Sequence, residues 1–280
     1  MTRRSHFYWS VRRELWEHRS IFWVPLAVAA VALPAFLFHM ARNADARALA
    51  ALAPAKRAVA IAMPYSMVAS MILFASLIVG FFFALDALHA ERRDRSVLFW
   101  KSMPVSDLVT VLAKAFVPFA VVPAVAFLIA LAAQSAMLAA SLPMLPIQGE
   151  ELHLGQMTIA MAYGVAIHAL WFMPIYGYLL LVSAWAPRAP LLWAVVPIFA
   201  LAAAEKLALG SAFVLAVVRY RFMGAMAEGF APNAMNSPLT QLSQLEPARF
   251  FAGPNLWLGL AFAAACIYGA IRLRRHRDPS

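Results

Sequence analysis

The sequence predicts an all-α integral membrane protein with six transmembrane helices, and three observations carry that prediction. Hydrophobic residues make up 64% of the 280, charged residues only 13%, and the mean hydropathy is +0.75. A soluble domain would carry about a quarter charged residues, so this chain takes lipid as its solvent. Six apolar runs are each long enough to cross a bilayer, for which about 20 helical residues suffice. The runs are continuous rather than alternating residue by residue, which excludes a closed β-barrel.

Residues 1–20 predict an amphipathic helix lying in the membrane interface. Phe7, Val11 and Leu15 recur at helical spacing with Tyr8 beside them, Ser10, Arg13, Glu14 and Glu17 are assigned to the opposite side, and Trp9 and Trp16 flank the stripe. The plainer alternative is a charged flank that only sets topology. The first span covers 21–40, too long for the apolar region of a cleaved signal peptide. The second covers 63–85 and the third 111–142. At about 1.5 Å per residue the third exceeds a roughly 30 Å hydrocarbon core, so it tilts, kinks at Pro118 or Pro123, or begins among the headgroups. Spans at 157–184, 191–218 and 255–271 complete the 21–271 transmembrane domain, and 272–280 is a basic tail. Small-residue patches at 27–32 and 261–265 would let helices approach closely. The segment 219–254 is rich in Gly and Pro, yet Phe222, Phe230, Phe250 and Phe251 make it too apolar for a free loop. It is expected to dip back or to lie on the outer interface under protein cover.

Lys and Arg counts orient the chain. With the N-terminus inside, the inside segments hold five (Arg3, Arg4, Arg12, Arg13, Arg19), five (Arg92, Arg93, Arg95, Lys101, Lys114), one (Arg188) and four (Arg272, Arg274, Arg275, Arg277). The outside segments hold four (Arg42, Arg47, Lys56, Arg57), none and three (Arg219, Arg221, Arg249). Both termini are therefore expected in the cytoplasm. The net charge of +10 follows from these clusters beside apolar runs, and no nucleic-acid motif accompanies it.

Chemistry is sparse. A phosphate cradle of the form G-x-x-x-x-G-K-[ST] is missing: Gly224 and Gly229 have the spacing, but Phe230 and Ala231 follow. His89-Ala90-Glu91 is not a zinc-protease motif, and there is no G-x-S-x-G. The chain is thus expected not to be an enzyme and to bind no cofactor or metal itself. Cys266 is the lone cysteine, and His39 and His168 lack partners at ligand spacing. Trp171, Tyr176 and Tyr178 around Pro174 read as helix packing at a kink.

Glu205 and Lys206 stand near the middle of the fifth span, where each charge costs roughly 2.5–3.5 kcal/mol on insertion scales. Either they line a transport path or a subunit contact, or the span breaks near Gly210 and both reach the outer headgroups, with Lys206 snorkelling. The first option supports a stand-alone ion-coupled carrier or channel.

The segment 86–110 interrupts two apolar runs with Glu91, Arg92, Arg93, Arg95, Leu98, Phe99, Trp100, Lys101 and Pro104. A topogenic basic loop capped by Ser106 or Asp107 explains the charges and the proline. It does not explain an aromatic tip beside a membrane, which suits docking of a soluble partner or, alternatively, anchoring in the membrane interface. Glu91-Arg92-Arg93, Ser96-Val97-Leu98, Ser102-Met103-Pro104-Val105-Ser106 and Lys114 resemble the corresponding stretch in permease subunits of type-2 ATP-binding-cassette exporters. The resemblance implies a half-transporter in the bacterial cytoplasmic (inner) membrane. It implies a cytoplasmic coupling helix between spans two and three, docked in a separate ATPase subunit that binds ATP and Mg, and a second permease chain, identical or homologous.

Overall fold

In lipid, backbone N–H and C=O groups must be satisfied inside each spanning segment, which leaves the helix as the open choice. A computed structural model of the protein describes residues 3–43, 51–94, 106–141, 154–235, 238 and 241–276. Among these residues the only β pairing is a bridge between Phe230 and Leu245. Helix α1 is Arg3–Glu17, α2 Ser20–Asn43, α3 Pro54–Asp86, α4 His89–Arg93 and α5 Asp107–Phe116. A π-helical turn, Val117–Val121, joins α5 to α6, Val122–Ser141. Then come α7, Leu154–Trp185, α8, Pro190–Leu209, α9, Phe213–Gly229, α10, Pro247–Ala252, and α11, Pro254–His276.

Six helical stretches are long and apolar enough to cross a membrane: Ser20–Met40, Lys56–Arg93, Asp107–Ser141, Gly155–Trp185, Pro190–Leu209 and Pro254–His276. The protein is an all-α, multi-pass membrane protein. Each expected span has its counterpart, the sixth running on to His276 through part of the expected tail, and two others change more in extent. The second helix begins well before position 63, carrying Lys56 and Arg57 on its first turns. The fifth does not run to 218. It stops at Leu209 on Gly210, whose positive φ of 66° caps the helix with its N–H on the Lys206 carbonyl at 3.1 Å. The third span absorbs Pro118 within the π-helical turn, one of the ways a helix accommodates proline.

Two large apolar clusters, with a smaller one of Leu88, Val111, Ala184 and Ala270, hold the bundle. One gathers Ala29, Phe36, Tyr65, Ile72, Ala133 and Met137 from α2, α3 and α6. The other surrounds Trp171, Phe172, Tyr176 and Leu180 of α7 with Phe83, Val117, Phe230 and Phe250. Helices α7 and α11 pack closely at Gly177, where an added Cβ would lie 3.0 Å from the Ala263 Cα. Helix α8 is the most lipid-exposed span, burying only Ala194 and Ala202 while Leu192, Val196 and Phe199 face outward. The segment 219–254 is covered in part: Phe230, Ala234 and Phe250 are buried, whereas Phe222 and Phe251 are exposed.

Candidate functional site

The largest concentration of buried charge lies at the end of the bundle where α1, α4, α5 and α11 meet. Lys114, in the last turn of α5, is 1% exposed, and its Nζ donates to Glu14 Oε2 at 2.9 Å and lies 3.2 Å from Glu91 Oε1. The Arg13 guanidinium bridges the same two carboxylates, at 2.5 Å to Glu14 and 3.1 Å to Glu91. Arg274, near the end of α11, donates to the other oxygen of Glu91 and to Asp107 Oδ1, the latter at 3.0 Å. Three cations thus face three anions, with every carboxylate paired. Burial opposes the charge on Arg13, but Glu14 and Glu91 outweigh it and hold its pKa above the usual arginine value.

The helices deliver these groups for local reasons. Ser106 caps α5, its Oγ accepting from Val109 N at 3.4 Å, so Asp107 falls in the first turn and Lys114 two turns on, facing inward. Helix α1 lays Val11 and Leu15 against the core, and Phe7 meets Phe116 edge-on at 5.5 Å. Its other side exposes Trp9 and Trp16 with Arg12 between them, 5.0 and 4.8 Å from the two rings. Helix α4 is anchored by Ser183, whose Oγ accepts from the backbone of Leu88 and His89 at 2.9 and 3.0 Å. Arg92 returns the bond, donating to the carbonyls of Ser183 and Ala186 at 2.6 and 2.8 Å at the C-terminal end of α7.

This placement corrects part of the sequence reading. Glu91 and Arg92 were expected on a docking surface, but their polar atoms are committed inside the bundle, Glu91 to the ion cluster and Arg92 to α7. Arg93 stays on the surface, beside Asp94 at 3.1 Å and Asp86 at 4.0 Å. Arg95, Leu98, Phe99, Trp100, Lys101 and Pro104 lie outside the described residues. Glu14 was assigned to the polar side of α1, yet it is 1% exposed. Seven residues from Phe7 and three from Val11, it belongs to the inward face by helical periodicity, and that spacing was the available signal. Arg13, Asp107 and Arg274 had no signal beyond their charge.

Glu205 and Lys206 stand on the last turns of α8, not mid-span. Glu205 folds over the break and caps α9, accepting from the Ser211 hydroxyl, from Phe213 N at 2.6 Å and from Val214 N at 2.8 Å. Lys206 is exposed. The geometry matches the broken-span alternative. Trp171, Tyr176 and Tyr178 pack: Trp171 Nε1 donates to the Arg221 carbonyl at 2.9 Å, and Tyr178 to the Ala194 carbonyl at 3.0 Å.

The ion cluster has no free nucleophile and no open acid–base pair, so its capacity is mechanical. It ties both flanks of the 95–105 segment to the first and last helices. Glu14, Glu17 and His18 bring ligand atoms within 4.8 Å of one another. Lys114 and Arg13 already neutralise Glu14, however, and their charge repels a metal ion there. Comparison with protein-family models, with curated proteins and with solved structures found no match.

Proposed function

We propose that the chain is the membrane-spanning permease subunit of an ATP-driven exporter, docking a separate ATPase through the segment between its second and third spans. The observation that supports this most is the linkage around that segment. Helix α4 enters it and α5 leaves it, and the ion cluster joins both to α1 and α11 through Glu91, Asp107 and Lys114. A push on the segment therefore moves helix ends on both sides of the bundle together. Packed elements tied by discrete ion pairs shift between alternative arrangements rather than deforming smoothly. Arg93 and the basic residues beyond it would steer an acidic ATPase surface, with Phe99 and Trp100 as buried anchors.

On this reading the ion-cluster end and both termini lie on the cytoplasmic side of a bacterial inner membrane, an orientation the excess of Lys and Arg supports. ATP and Mg bind the partner subunit, and a second permease chain, identical or homologous, completes the assembly. The carrier reading relied on Glu205 and Lys206 inside a span; with Glu205 capping α9, that reading has no residue of its own.

The test is a mild-detergent pulldown of the tagged chain, with mass spectrometry and an ATPase assay on the eluate. A stoichiometric ATPase is expected. Phe99→Asp/Trp100→Asp is expected to abolish its copurification while membrane insertion survives. Retained copurification by that variant would remove the docking role, and an intact complex without any ATPase would remove the permease reading.

A further inference from the structure

At the opposite end of α11 from the ion cluster stands a guanidinium with no counter-ion among the described residues. Asn255 and Arg274 are 19 positions apart on this helix, about 28 Å at 1.5 Å per residue. Arg221, on α9, reaches the first of these. It lies 4.4 Å over the Trp171 ring and donates through Nη2 to the Asn255 carbonyl at 3.0 Å. Its Nη1 is buried without a hydrogen-bond partner, and among the described residues no carboxylate pairs with it. Glu228 is taken by the Tyr220 hydroxyl, and Glu246 by Arg249 at 3.9 Å. Burial lowers the Arg221 pKa, and the neighbouring Tyr220 offsets this only in part.

The fold makes room for this cation. An added Cβ at Gly259 would sit 2.8 Å from Nη2, 2.9 Å from Nη1 and 2.9 Å from Pro174 Cγ. Glycine there leaves a notch between α7, α9 and α11 that the guanidinium fills. The residue remains partly open to its surroundings. On that side stands the Asn255 amide, whose Nδ2 donates to the Tyr220 hydroxyl at 3.0 Å and keeps a second N–H. Nη1 is closed off under Gly259, so the part of the guanidinium open to a ligand is its remaining N–H edge, which together with the Asn255 amide can donate to the oxygens of one phosphate.

We propose that Arg221, with Asn255 beside it, is a binding site for a phosphate-bearing anion at this end of the bundle. The inference does not depend on the exporter reading. The phosphate comes either from a phospholipid headgroup or from a soluble phosphate ester. The geometry favours a single phosphodiester over a multiply charged group, because the Glu228 carboxylate on Tyr220 would repel additional negative charge.

The test uses the full chain in detergent. Native mass spectrometry with added phosphatidylglycerol or phosphatidylcholine counts bound lipid, and thermal unfolding with inorganic phosphate at constant ionic strength follows the soluble source. One phosphatidylglycerol is expected to bind in preference to phosphatidylcholine. Arg221→Gln should weaken it about tenfold or more, the loss of a charged hydrogen bond, and Arg221→Lys should retain part of it. Stabilisation by inorganic phosphate that disappears in Arg221→Gln, without a lipid preference, assigns the site to soluble phosphates. If Arg221→Gln does not fold, the wild-type chain and Arg221→Lys decide. A wild-type chain that neither prefers phosphatidylglycerol nor responds to phosphate overturns the proposal. So does an Arg221→Gln chain that binds like wild type.

Discussion

Replacing Lys114 by methionine keeps the length of the side chain and deletes its charge. Lys114 is one of three cations balancing Glu14, Glu91 and Asp107, and it is 1% exposed. At an effective dielectric constant of about 20, charges at 2.9 and 3.2 Å attract by roughly 5–6 kcal/mol each before desolvation is counted. Desolvation removes much of that gain, and deleting one partner of a buried pair typically costs about 3–5 kcal/mol because the other is stranded. Arg13 remains 2.5 Å from Glu14 and 3.1 Å from Glu91, so the lower end applies, about 3 kcal/mol. Adding Glu14→Gln removes the stranded anion along with its cation. The double variant should recover about 2 kcal/mol of the summed losses as coupling. The assay is unfolding of the full chain in mixed micelles of rising detergent strength, followed by tryptophan fluorescence. Lys114→Met within about 0.5 kcal/mol of wild type, the range of an ordinary surface change, would refute the reasoning. Strictly additive single variants would refute the pairing.

Three further outcomes follow from named contacts. Arg92→Ala strips the Ser183 and Ala186 carbonyls of their donor; a loss of about 1–3 kcal/mol is expected, with faster proteolysis between α4 and α5. Glu205→Ala uncaps α9, so the amides of Phe213 and Val214 should exchange hydrogen faster while those of α8 are unchanged. Equal exchange in both helices would contradict the capping role. Gly177→Ala forces a methyl to within 3.0 Å of the Ala263 backbone, and overpacking of that kind costs about 1–3 kcal/mol in thermal unfolding.

Much of the fold was legible because it is written locally. A span is a run of apolar residues, and hydropathy along the chain reports it without reference to any other element. The cap on α5 is local too, though the sequence offered it only as Ser106 or Asp107, and Pro118 marked a distortion of the third span without specifying a π-helical turn. The break at Gly210 was legible only as one of two options. Composition carries apolar character straight through from 191 to 218, whereas the glycine's left-handed backbone and the Glu205 cap end the helix. The docking residues Glu91 and Arg92 were misplaced for a different reason: charges near a membrane surface look alike whether they face water or a buried partner.

The sequence by itself determined the solvent and the number of spans, since each follows from residues within a few turns of one another. The tertiary structure alone decided which charges meet. Glu14 finds Lys114 one hundred positions away, Glu91 finds Arg274 across 183, and Asp107 finds the same arginine across 167. Periodicity says which face of a helix a residue occupies, and only packing says what stands opposite. In a low-dielectric interior that opposing charge sets the balance, because a buried ion is stable only beside its partner.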